Sequence, residues 1–134
     1  MSLRMRSAAL ALLLLAGLAA GCTSDLSPRR VEIHIHYSHF DPSQLSVQRG
    51  VAVTFVLINE DPIDHEWLIG DAAFHERHRT GTEANHGARP NEISIAALQT
   101  VETTLTFGSP GTLHYICHMP GHEAYGMVGT LTIT

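Results

Sequence analysis

Residues 31–37 alternate strictly, with Val31, Ile33, Ile35 and Tyr37 on one side and Glu32, His34 and His36 on the other. A period of two marks a strand with one face in a core and one in water. Residues 51–58 form a β-branched and aromatic run, which reads as a strand near the core centre. Further strands are predicted over residues 65–69, 92–98, 100–107, 112–117 and 127–134. Turn signals stand at Asp41-Pro42, at Arg49-Gly50 and at Gly108-Ser109-Pro110-Gly111. Residues 59–64 are polar and carry Pro62, so they read as a loop. Residues 71–91 are a longer polar stretch with Gly81, Gly87 and Pro90, which leaves room for one helical turn around residues 72–78. Seven to eight short strands, tight turns and no long helical pattern predict an all-β fold, a single Greek-key β-sandwich.

The N-terminus follows a different pattern. Arg4 and Arg6 precede an apolar run over residues 8–20. A membrane-spanning helix needs about 20 apolar residues, so the run has the size of a signal-peptide core instead. Leu18-Ala19-Ala20-Gly21-Cys22 resembles a bacterial lipobox, displaced by one position at the Leu. The expected organisation is a signal peptide over residues 1–21, a lipidated Cys22, a tether over residues 22–30 and a folded domain over residues 31–134. Ordinary secretion with cleavage nearby and an uncleaved anchor are the alternatives. Each puts the domain outside the cytoplasm, in the periplasm or on the outer face of the cell membrane.

Composition narrows the function. The 134-residue chain carries a formal net charge of −5, which becomes −7 without Arg4 and Arg6. No basic surface is available for nucleic acid. The sequence contains no Lys, which excludes Schiff-base and P-loop lysine chemistry. Ten histidines against two cysteines point instead to a metal. With Cys22 lipidated, Cys117 has no disulfide partner, and a lone thiol in an oxidising compartment calls for an occupant.

Cys117, His122 and Met127 provide that occupant with donors, in the pattern Cys-x4-His-x4-Met. Cys117 closes one predicted strand and Met127 opens the next, so all three donors lie around one loop bent at Pro120-Gly121. A thiolate, an imidazole and a thioether together select copper over hard cations. Two His and one Cys with a weak axial Met describe a blue-copper site. The second His is expected to be His65, at the start of the strand after the Pro62 loop.

On these residues the chain resembles the cupredoxins, the family that includes plastocyanin, azurin and rusticyanin. The 117–127 loop is most like the rusticyanin and sulfocyanin type. The resemblance implies a two-sheet sandwich with one copper ion per chain at one end, and His65, Cys117, His122 and Met127 as its ligands. It implies one-electron transfer to a transient redox partner, a cytochrome or a membrane oxidase or reductase. The expected molecule is a monomer, attached to the membrane only through its lipid. The chain departs from the family at Glu66, where many members carry Asn after the first His ligand. A Glu66–His118 hydrogen bond is expected to brace the site in its place. A binuclear copper centre would need Cys at position 121, which is Gly. A multicopper oxidase would need His on both sides of the Cys, where Ile116 stands, and a thiol hydrolase would not place a second soft donor beside its nucleophile.

The remaining histidines leave alternatives. His75 and His78, with His86, are candidates for a second metal site, which would suit copper storage or delivery, or a small copper enzyme. Otherwise they belong to a solvated loop, as His34 and His36 would belong to a polar strand face. Met119 is expected in an apolar rim with Pro120, Ala124 and Tyr125.

Overall fold

A computed structural model describes residues 27–81 and 89–134. Cys22, the leader and His86 lie outside the described residues. The chain forms β1 (Arg29–His36), β2 (His39–Asp41), β3 (Gln44–Val47), β4 (Ala52–Asn59), β5 (His65–Gly70), α1 (Ala72–Arg79), β6 (Glu92–Ile95), β7 (Thr100–Thr106), β8 (Gly111–Ile116) and β9 (Val128–Ile133). They make two sheets, ordered β2-β1-β4-β7 and β3-β9-β8-β5-β6. The pairs β1–β4 and β3–β9 are parallel and the others antiparallel. The sandwich is the expected one, with nine strands among the described residues rather than seven or eight.

The two additional strands, β2 and β3, come from a segment whose turn residues masked its strand character. Tyr37 and Ser38 both take positive φ (50° and 57°), so a two-residue turn reverses the chain without Gly or Asn. The turn sets Ile35 opposite Phe40 and His36 opposite His39. The strand predicted over residues 92–98 ends at Ile95, and Leu98 (φ 57°) belongs to the turn that follows.

Alternation builds the core. Ile33, Ile35, Phe40, Val53, Phe55 and Leu57 face Trp67, Ile69, Ile95, Tyr115 and Leu131 across the sandwich. Phe55 and Trp67 join the sheets with ring centroids 5.0 Å apart. Tyr115 is fully buried, and its hydroxyl donates to the carbonyl of Pro42 at 2.7 Å. Its ring lies against Gly129, so closely that a Cβ there would overlap Cε2 and Cζ. Gly129→Ala is therefore expected to cost about 2 kcal/mol or more, since overpacking forces a buried ring off its rotamer. A lowered urea midpoint with an unchanged slope would register it.

The helical turn expected around residues 72–78 is a two-turn helix. Asp71 caps it by accepting from the N–H of Phe74 at 2.8 Å. Phe74, His75 and His78 form its buried face.

Candidate metal centre

Three elements converge at one end of the sandwich. β5 runs antiparallel to β8, so the start of β5, with His65, lies at the same end of the sheet as Cys117, just past the end of β8. The loop between β8 and β9 folds back through two glycines at positive φ, Gly121 (85°) and Gly126 (96°). An L side chain would be strained at either position. Main-chain bonds fasten the loop, from His122 N–H to Met119 O, Met127 N–H to His122 O (3.0 Å each) and Cys117 N–H to Met127 O (3.2 Å).

One donor atom each from His65, Cys117 and His122 lies within 4.8 Å of the other two. Nδ1 of His122 is 3.2 Å from Nδ1 of His65 and 3.3 Å from Sγ of Cys117. His65 and Cys117 are buried, while His122 is half-buried and reaches the surface. Met127 is fully buried in the same core cluster as Cys117 and is tied through its main chain to both Cys117 and His122. Two imidazole nitrogens and a sulfur around one point form a donor set suited to copper and poorly suited to magnesium or calcium. Burial pushes the Cys117 thiol up, against the N–H groups of Glu66 and Met119, which favour the thiolate. Burial, with the charge of His65, lowers the His122 imidazole.

Asp61 governs His65, and no sequence signal singled it out. Its carboxylate is buried and accepts three bonds: from the N–H of Tyr37 and of Ser38 (2.8 Å each) and from Nε2–H of His65 (2.9 Å). The proton on Nε2 leaves Nδ1 of His65 with its lone pair aimed at the donor cluster. Metal-binding histidines commonly owe their tautomer to such a partner. Burial pushes the Asp61 carboxyl up, but the two backbone N–H groups and His65 outweigh it and hold it below the ordinary value. The backbone of Asp61 is fixed as well, its N–H donating to Asn59 Oδ1 at 3.0 Å and its carbonyl accepting from Leu98 N–H at 3.1 Å.

The expected Glu66–His118 hydrogen bond does not form. Glu66 braces the site through its main chain, its N–H lying 3.4 Å from Sγ of Cys117. His118 turns to the helix, where its Nε2 is 2.9 Å from Nδ1 of His75 and its Nδ1 is 3.4 Å from a Glu123 oxygen. His75 Nε2–H donates to the carbonyl of His114 at 2.9 Å, so its Nδ1 accepts from His118. His78 donates to the carbonyl of Phe74 (2.9 Å), and its ring stacks on His118 at 5.7 Å. His75 and His78 therefore share one side of a helical turn, but as buried packing groups instead of a solvated loop. Both nitrogens of His75 are committed to protein partners. Arg79 pairs with Glu123 at 2.6 Å and clamps the helix to the loop of His122.

This arrangement makes the metal-free protein sensitive to acid. Burial drives His118 down from 6.5 to about 4, with Glu123 opposing and His75 and Arg79 assisting the shift. His75 is also lowered, mainly by burial. Between those limits the unfolded chain binds protons that the folded one refuses, so stability falls as pH drops from about 6.5 to about 4. Asp61, whose carboxyl is held low, extends the loss to still lower pH. Urea midpoints of the metal-free protein across this range are expected to decline steadily, and a flat profile would contradict the arrangement.

Comparison with known proteins agrees with the geometry. The family of copper-binding proteins of the plastocyanin/azurin type matches residues 30–134. The copper-resistant cuproprotein CopI of Pseudomonas aeruginosa is 30% identical over 137 residues, covering 78% of this chain and 76% of that protein. Auracyanin-B of Chloroflexus aurantiacus is 27% identical over 110 residues, covering 71% of this chain and 47% of its own length. The chain spans 59% of a second CopI, from Rubrivivax gelatinosus. Among solved structures, auracyanin B superposes with a TM-score of 0.66 at 26% identity, over 79% of this chain and 88% of that one. Auracyanin A of Chloroflexus aurantiacus, a blue copper protein, gives 0.63 at 28% identity, over 80% and 99%. With a two-sheet sandwich, a His-Cys-His cluster at one end and a family match over residues 30–134, the chain belongs to the plastocyanin/azurin family of copper-binding proteins, the cupredoxins.

Proposed function

We propose that the protein is an extracytoplasmic one-electron carrier, with a single copper held by His65, Cys117 and His122 and weakly by the Met127 thioether. The observation that carries this reading is the convergence of His65 Nδ1, Cys117 Sγ and His122 Nδ1 within 4.8 Å. Bound there, copper supplies a one-electron Cu(II)/Cu(I) couple. The chain supplies a rigid frame: Asp61 fixes His65, the Glu66 N–H meets the sulfur, and the sandwich buries both. His122 joins the buried donors to the surface and offers the shortest route to a docked partner. Exposed Tyr37, Ile63, Leu98 and Tyr125 lie in the turns and loops bonded to Asp61, Asn59 and Gly121, at the same end. Such a rim suits the small, transient contact of a cytochrome or of a membrane oxidase or reductase. No helix among the described residues is long and apolar enough to cross a membrane. Attachment would rest on lipid at Cys22, outside the described residues.

A second reading, copper storage or delivery, is favoured by the likeness to the copper-resistant cuproprotein CopI. One experiment separates the two. The copper-loaded protein is cycled between oxidised and reduced states in the presence of a Cu(I) chelator. A carrier bleaches and recolours repeatedly with one copper retained per chain. A delivery protein surrenders its copper on reduction. An enzymatic reading built on His75, His78 and His86 would need turnover that is lost when His75 and His78 are changed together.

A further inference from the structure

The outer face of the four-stranded sheet carries a second set of metal donors, separate from the buried cluster. Ile33 and Ile35 are fully buried, so His34 and His36 project together into solvent, two residues apart on one strand. Glu60, just past β4, is placed above them by its own backbone, whose N–H donates to the carbonyl of Ile35 at 2.9 Å. Its carboxylate reaches back across β1. Oε1 lies 2.7 Å from Nδ1 of His34, and Oε2 lies 3.7 Å from Nδ1 of His36. One carboxylate thus sits between two imidazole nitrogens. All three side chains are about half exposed, at 44%, 52% and 43% for His34, His36 and Glu60.

We propose that His34, His36 and Glu60 form a surface site for a borderline divalent cation, with Cu(II) the preferred ion and Zn(II) its competitor. Two imidazoles and a carboxylate are the donors such ions take, whereas magnesium and calcium favour oxygen alone. Metal–donor bonds of about 2.0–2.2 Å put neighbouring donors roughly 3 Å apart. The His34–Glu60 separation of 2.7 Å is close to that spacing already. His36 has to rotate further, because the donors of the three residues do not yet all lie within 4.8 Å of one another; its half-exposed ring, now against Tyr37 with centroids 3.9 Å apart, turns toward Glu60 as the ion binds. Cross-strand Asp41 faces His34 on the same surface, so further negative charge lies nearby. His39 stands opposite His36 but is engaged elsewhere. Its Nδ1 lies 2.7 Å from the carbonyl of Tyr37, and its ring leans toward Gly126. The site contains no sulfur donor, so it would add no intense visible band and is spectroscopically distinct from the buried centre. It stands independently of the electron-carrier reading, because none of its donors belongs to the buried cluster.

The test uses the copper-loaded protein, dialysed against additional Cu(II) in the presence of a weak amino-acid chelator. Bound copper is expected to rise from one to two per chain. A new tetragonal EPR signal with nitrogen hyperfine structure should accompany it, while the visible band stays constant. In the His34→Gln/His36→Gln double variant the second ion and its signal should vanish with the visible band intact, which also shows that the variant is folded. Each single variant should weaken the second site about tenfold or more. Stoichiometry that stays at one, or a second ion that persists in the double variant, overturns the proposal. If the buried centre itself fails to bind copper, the surface site is still read as the difference between Cys117→Ser and Cys117→Ser/His34→Gln/His36→Gln in the same titration, so the two failures are distinguishable.

Discussion

In Cys117→Ser the intense visible band of the copper-loaded protein is expected to disappear, leaving a weak tetragonal Cu(II) spectrum and copper that dialyses away. The reason lies in what surrounds the sulfur. Cys117 is fully buried at the end of β8, with its Sγ 3.3 Å from His122 Nδ1 and capped by the N–H of Glu66. Burial opposes the thiolate in the metal-free protein, so a cation has to displace the proton, and a soft donor is then gained. A serine hydroxyl in that place is hard and does not ionise near neutral pH. The two imidazoles remain, but the donor that selects copper and generates the charge-transfer colour is gone. The metal-free variant should keep its stability within about 1 kcal/mol, because the side-chain volume barely changes and no ion pair is lost. Absorption, EPR and metal analysis after dialysis, beside a denaturation curve, separate loss of the site from loss of the fold. A visible band that survives in Cys117→Ser would remove Cys117 from the centre and take the carrier reading with it.

How far these features can be read from the chain depends on the range of the interaction responsible. The strict alternation in β1 and the apolar run of β4 are local patterns, and both strands form where those patterns stand. The Cys117–His122–Met127 loop is legible for the same reason, because its donors are neighbours in sequence and Gly121 and Gly126 mark its bends. His65 is separated from that loop by 52 residues but begins a recognisable strand, and the β5–β8 pairing delivers it. Other features turn on contacts with no local mark. Tyr37 and Ser38 reverse the chain at positive φ without Gly, so β2 was hidden. His75 and His78 look like polar loop residues until Asp71 caps a helix and Phe74 packs it onto Gly70. His118 and Glu66 are two residues of suitable chemistry near one site, yet α1 supplies a nearer partner for the first and main-chain geometry the use for the second. Asp61 reads as one acid in a polar loop. Its partners Tyr37 and Ser38 lie 24 and 23 residues earlier and meet it only after β1 and β4 have paired.

Asp61 therefore supports a second strong expectation, and two substitutions divide its contributions. Asp61→Ala leaves the N–H groups of Tyr37 and Ser38 and the Nε2–H of His65 without their acceptor in a buried site. Abandoning the partner of a buried ion pair or charge-assisted network costs about 3–5 kcal/mol, which the urea midpoint of the metal-free protein should register. The β1–β2 turn, with two residues at positive φ, loses the group that holds both of its amides. His65 is also freed to turn or to change tautomer, so copper affinity is expected to fall about 10–100-fold. Asp61→Asn is the finer probe. Its carbonyl oxygen can still accept from the turn or from His65, so much of the fold is kept, but the negative charge is gone. Removing a charge hydrogen-bonded to a metal-binding imidazole lowers the basicity of that imidazole and disfavours the more highly charged state of the centre. The reduction potential of Asp61→Asn should therefore rise while its thiolate band keeps most of its intensity. A purely structural role would lower stability and leave the potential where it was. Voltammetry of the Asn variant, read beside denaturation of the Ala variant, decides between a residue that only ties a turn and one that also sets the electronic character of His65.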